Sequence, residues 1–147
     1  MDDINYKILT LLQSDSRMTY TQISKEVNLS IPTVKERINR MVDKGIIKNN
    51  TIEVNFKSLG RNIRAIICVD VKSNRYDHFL NFCTNNPYVT EFYRVVGPYN
   101  AIIFIAIEDV DKFEEFIDRI KSYGTCLTSF LTSTQYKNRI LPGDREK

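Results

Sequence analysis

Residues 25–37 read KEVNLSIPTVKER, and two amphipathic stretches meet in them across Asn28, Leu29 and Ser30. Ahead of this corner Thr19 and Gln22 form a capping-box pair before Ile23 and Val27, which predicts a short helix over 21–27. Asn28 stands where the chain must reverse, and asparagine tolerates the left-handed backbone that such a C-terminal turn usually requires. Leu29 can then plug a core. Ser30 is a good N-cap, and Pro32 lies in the first turn, where a missing N–H costs nothing. Val34, Ile38 and Met41 run as one apolar stripe down the next helix, which should stop at Gly45. Upstream, Ile4, Ile8, Leu11 and Leu12 recur at helical spacing behind Asp2 and Asp3, carboxylates that favour a helix N-terminus. The corner is therefore the tight turn of a helix-turn-helix.

At about 100° per residue, the third helix directs Pro32, Thr33, Glu36, Arg37, Asn39 and Arg40 away from its apolar stripe. The formal charge of the 147-residue chain is only +3. Yet residues 31–48 alone hold Lys35, Arg37, Arg40, Lys44 and Lys48 against Glu36 and Asp43, five cations to two carboxylates. A polar, cationic face rich in donors suits double-stranded DNA. Lys35, Lys44 and Lys48 are placed for phosphates and Thr33, Glu36, Arg37 and Arg40 for base edges, with Ser30, Pro32 and Asn39 on the same DNA-binding surface. The plainer alternative is the wet face of a three-helix bundle.

After Gly45 the stretch IIKNNTIEV reads as a small hairpin or an extended connection, and Phe56 to Gly60 closes the first unit. The domains are expected over 1–60 and 61–147. In the second, Ile63 to Val71 is rich in β-formers, and Tyr76 to Cys83 carries Phe79, Leu80 and Phe82 at helical spacing. Val89 to Val96 and Ala101 to Ile107 read as strands around the turn Gly97-Pro98-Tyr99-Asn100. Asp109 to Ile120 is an amphipathic helix, and Cys126 to Thr134 a last strand. The fold class is thus α+β, a winged-helix-like helix-turn-helix followed by a ferredoxin-like βαββαβ domain. Two helices cover only one face of four strands, so Ile63, Ile67, Val71, Ile103 and Ile105 are expected on an open face covered by a second copy of the chain.

Hydrophobic residues at 42% and charged residues at 27% are ordinary globular values. The longest apolar run, Ala101 to Ile107, is far short of the roughly 20 residues of a membrane helix, and the start MDDINYK is acidic where a signal peptide is basic. These features predict a cytoplasmic protein with no membrane partner. Cys68, Cys83 and Cys126, widely spaced among apolar neighbours, read as buried reduced thiols rather than metal ligands. No nucleophile elbow, phosphate loop or Cys-x-x-Cys occurs, and His78 is the single histidine on a helix of ordinary composition. No enzyme, cofactor or metal site is expected.

The order of parts resembles the Lrp/AsnC, or feast/famine, family of transcription regulators. The matching stretches are DDINYKILTLL, SRMTYTQISKEVNLSIPTVKERINRMVDKGII, Leu59-Gly60 and YRVVGPYNAIIFIAIED, and the likeness spans essentially the whole chain. It implies a DNA-binding regulator that forms homodimers, assembles further into tetramers or octamers, and senses an amino acid or a similar metabolite. The implied effector site lies between dimers, near Gly97, Pro98, Tyr99 and Asn100 and a facing last strand with Thr128 and Ser129 as polar candidates. Two positions depart from the usual pattern: Asn28 stands where many members have glycine, and Asn100 where aspartate is frequent. Asparagine offers no charge to a ligand amine. An architectural DNA-binding protein with no ligand is the alternative.

Overall fold

The computed structural model describes residues 1–133. Helices α1 (Asp3–Ser14), α2 (Tyr20–Val27) and α3 (Ile31–Asp43) come first. Strand β1 (Ile63–Val71), helix α4 (Tyr76–Asn85), strands β2 (Val89–Arg94) and β3 (Ala101–Ile107), helix α5 (Val110–Lys121) and strand β4 (Gly124–Phe130) follow. The chain divides into two compact units, with residues 1–53 in the first and 54–133 in the second among those described. The 3₁₀ turn at Phe56–Leu59, which the sequence places at the end of the first domain, is grouped with the second unit.

In the first unit each helix begins at a side-chain cap. Asp2 accepts the Asn5 N–H at 2.8 Å. Thr19 and Gln22 exchange the two bonds of a capping box, and Ser30 accepts the Thr33 N–H at 3.3 Å. These bonds satisfy N–H groups that the first helical turn otherwise leaves without partners. Between α2 and α3 the backbone reverses at Asn28, whose φ of 53° and ψ of 46° are left-handed. Ile8, Ile23, Val27, Val34, Ile38 and Met41 form the buried core, with Leu29 packed against it. Residues 46–55 contain no strand, so the expected hairpin is not present.

The second unit is a four-stranded antiparallel sheet in the order β2-β3-β1-β4. Strand β1 buries alternate residues, Ala65, Ile67, Val69 and Val71, and β3 contributes Ala101, Ile103, Ile105 and Ile107 to the same layer. Phe79 and Cys83 of α4 and Phe116 and Ile120 of α5 cover it, and the Phe79 ring meets Tyr123 at 5.4 Å and Phe92 at 5.9 Å. At Gly124 a Cβ would lie 1.9 Å from the Asp70 carbonyl oxygen, so only glycine lets β4 start this close to β1. The expected last strand begins two residues earlier than read, and Thr134, its expected end, lies outside the described residues, as does the tail to 147.

The structure corrects which residues line the bare sheet face. Ile67, Val71, Ile103 and Ile105, expected there, belong to the helix-covered core, and Ile63 is in phase with them. The bare face carries Ile66, Cys68, Ile102 and Phe104, flanked by Tyr93 and Leu127, which are 50% and 55% exposed. Both alternating sets of β1 and β3 are apolar, so periodicity alone does not say which set the helices cover.

The left-handed residue is the tightest local constraint on the first unit. Asn28→Val is expected to cost about 1–2 kcal/mol of stability, because a β-branched side chain resists this backbone conformation. Asn28→Gly is expected to unfold close to the parent. Thermal unfolding followed by circular dichroism measures both.

Candidate nucleic-acid interface

Helix α3 exposes Pro32, Lys35, Glu36, Asn39 and Arg40, with Lys44 just past its end and Lys48 in the following segment. Ser30 is also exposed, but its hydroxyl is committed to the helix start, where it caps Thr33 and meets the half-buried Thr33 hydroxyl at 2.7 Å. Arg40 pairs with Glu36 at 2.7 Å, one turn away, and both side chains stay largely in solvent. An exposed pair of this kind is weak enough to open when another anion arrives. No ion pair or side-chain hydrogen bond engages Lys35, Asn39, Lys44 or Lys48 among the described residues.

Arg37 differs from the expectation that it faces outward one turn from Arg40. Its guanidinium Nη1 donates to Asp2 Oδ2 at 2.6 Å and to Asn5 Oδ1 at 3.0 Å, and its side chain is only 27% exposed. The Arg37 guanidinium, and then the Asn5 N–H, hold the Asp2 carboxyl below the ordinary aspartate range. A recess of about 300 Å³ opens beside this pair, where Arg37, Arg40 and Lys44 meet Asp2 and Glu36. Ile31 was not among the residues read as part of the surface. It sits at stripe spacing before Val34 and Ile38, yet it is exposed in the first turn of α3. Its signal in the sequence is adjacency to Ser30 and Pro32 rather than period.

The expected effector residues do not converge within one chain. The Asn100 amide is spent on strand β1, where its Oδ1 accepts the Val71 N–H at 2.9 Å and its Nδ2 donates to the Val71 carbonyl at 2.8 Å. Its backbone N–H also donates to Val69 and its carbonyl accepts from Val95, so Asn100 ties the turn to the sheet. Gly97 and Pro98 are exposed and Tyr99 is half-buried. Thr128 stands opposite buried Ile67 and Ser129 opposite Ile66, so the two point to opposite faces of the sheet. Strand β1 separates β3 from β4, which puts the turn and these residues about 10 Å apart across the sheet alone.

The three cysteines are free thiols. Cys83 is buried, and burial pushes its thiol up to about 12, while Cys68 and Cys126 are half-buried. No group of three His, Cys, Asp or Glu side chains is placed to hold a metal ion among the described residues. His78 is exposed on α4. No helix among them is long and apolar enough to cross a membrane.

Asn100→Ala is expected to destabilise the protein by about 1–3 kcal/mol, since it leaves the N–H and carbonyl of buried Val71 without their side-chain partner. Chemical denaturation measures it, and unchanged stability would show that the amide is idle in the fold.

Comparison with known proteins agrees with this architecture. Residues 1–48 match the winged helix-turn-helix DNA-binding family and residues 64–141 the Lrp/AsnC ligand binding domain. The HTH-type transcriptional regulator YezC of Bacillus subtilis, itself uncharacterized, is 32% identical over 91% of this chain and 95% of its own. The solved structure of LrpC from B. subtilis superposes with a TM-score of 0.85 at 29% identity, covering 95% of this chain and 99% of that one. The fold alone is shared with the transcriptional regulator NMB0573 of Neisseria meningitidis, solved as an L-Met complex, at a TM-score of 0.84 and 22% identity over 97% and 96% of the two chains. Helix-turn-helix, four-stranded sheet and sequence agree, and the chain belongs to the Lrp/AsnC family of helix-turn-helix transcriptional regulators.

Proposed function

We propose that the protein is a cytoplasmic, sequence-specific DNA-binding regulator whose first unit, residues 1–53, reads DNA. The second unit dimerises and senses an amino acid or a similar small metabolite. One observation carries the DNA reading: a capped helix, held at a fixed angle by a left-handed residue, presents a solvent face of donors and cations. Lys35, Lys44 and Lys48 meet phosphates, and Glu36, Asn39 and Arg40 meet base edges in the major groove, with Thr33 and Pro32 at the entering end. Exposed Ile31 is positioned to touch a thymine methyl group.

The bare sheet face supports dimerisation. Ile66, Ile102, Phe104 and Leu127 form an apolar surface at the centre of one side of the sheet, and a second copy buries it symmetrically. Dimers then assemble into tetramers or octamers. Because the turn at 97–100 and Thr128 or Ser129 are apart within one chain, an effector pocket built from them needs residues from two copies. A ligand-free architectural role is the second reading, and the engagement of the Asn100 amide with Val71 favours it. A thermal-shift screen of amino acids separates the two readings, since only a sensor gains a higher unfolding midpoint with ligand.

Two measurements test the function. In anisotropy titrations of the full chain against duplexes enriched from a random pool, Arg40→Ala should cost about 1–3 kcal/mol and relax preference at one base position. Lys35→Ala should weaken all duplexes alike and lower the salt slope by about one. A parent that enriches no sequence would contradict the reading. In sedimentation analysis of the full chain, Leu127→Glu should turn dimers into monomers, and a parent already monomeric would remove the sheet face as the interface.

A further inference from the structure

We propose that Arg37 is a positioning residue, a strut between α1 and α3 that sets the angle of the reading helix and does not itself contact DNA. The inference rests on the DNA-binding reading above. Arg37 and Arg40 are one turn apart on one helix, yet they meet different fates. Arg40 is 63% exposed and among the described residues pairs with Glu36 of its own helix, whereas Arg37 is 27% exposed and its Nη1 reaches two acceptors in the first turn of α1 and its cap.

The Asp2 carboxylate does two things at once. Oδ1 takes the Asn5 N–H and caps α1, and Oδ2 takes Arg37, so the same group closes the helix start and fastens it to the middle of α3. Asn5 Oδ1, one turn inside α1, takes the same guanidinium nitrogen, so the strut meets α1 at two points. This tie lies beside the apolar contact that Ile8, Ile38 and Met41 already make. Hydrophobic packing tolerates sliding of one helix along another, but two directed hydrogen bonds to a charged group fix the register.

Charge argues the same way. Paired with Asp2, Arg37 adds no net attraction for a polyanion. If Arg37 swung out to a phosphate, the Asp2 carboxylate would lose its guanidinium partner beside the incoming DNA, and the gain from one anion would be set against repulsion from another. Arg40 carries no such cost, because Glu36 lies on α3 and can rotate away into solvent.

The test compares the parent with Arg37→Gln, Asp2→Asn, Arg37→Lys and the Asp2→Asn/Arg37→Gln double variant. Each full chain is titrated against enriched and scrambled duplexes across a salt series, and its thermal midpoint is recorded. Both single variants should lose affinity for the enriched duplex by about tenfold with the salt slope unchanged, since reading contacts are misplaced but no phosphate contact is lost. The double variant should be no worse than either single one, and Arg37→Lys should recover part of the loss. If Arg37→Gln lowers the salt slope while Asp2→Asn leaves binding intact, Arg37 touches DNA and the proposal falls. It falls too if Asp2→Asn raises affinity, or if both variants melt lower yet bind as the parent does. Should the parent enrich no duplex, the DNA-binding reading fails on its own. The strut is then judged by melting, where coupled losses support it and additive losses reject it.

Discussion

A single left-handed residue sets the geometry of the reading surface. At Asn28 the chain leaves α2, and after Leu29 and Ser30 it begins α3, with no longer loop in which the angle between the helices could relax. Leu29 then packs into the core and Ser30 caps the new helix. With Val34, Ile38 and Met41 pointing inward from that start, Lys35, Glu36, Asn39 and Arg40 of α3 face solvent. The donors and cations on that face follow from a backbone conformation that asparagine and glycine accept and branched residues resist.

The second unit rests on a different constraint, the central place of β1. It pairs with β3 on one edge and β4 on the other, and its inward residues meet both helices. Gly124 lets β4 approach β1 without a Cβ in the way, and Asn100 binds the start of β3 to the end of β1 through its side-chain amide. These two residues shape the sheet edge around the turn. An effector at that turn would meet a frame already pinned to β1, so binding there would draw on exposed Gly97 and Pro98 and on a second copy rather than on the Asn100 amide.

Much of the fold is legible in the sequence because its local signals agree. The caps at Asp2, Thr19 and Ser30 announce the helix starts, and the three apolar stripes identify one core. Strand β1 is read to its correct ends at Ile63 and Val71, since β-branched residues run between polar flanks. What escaped depends on tertiary neighbours. The face of β1 that the helices cover is hidden because Ile66 and Ile67 are equally apolar. Arg37 looks like Arg40 on a helical wheel, and only the approach of α1 carrying Asp2 and Asn5 separates them. Asn100 reads as a turn residue with a free amide, and its bonds to Val71 form only when β1 and β3 are side by side. The boundaries of α3 and β2 shift by one or two residues, as helix and strand ends do where caps and turns compete, and β4, expected over Cys126 to Thr134, runs Gly124–Phe130 instead.

The central claim is that the exposed face of α3 enters DNA. A photo-crosslinking amino acid in place of Asn39, and in a separate sample in place of Glu115 on the exposed side of α5, measures this directly on the full chain bound to an enriched duplex. Crosslinks to bases from position 39 and none from position 115 are the predicted result. Crosslinks from position 115 with none from position 39 would contradict it.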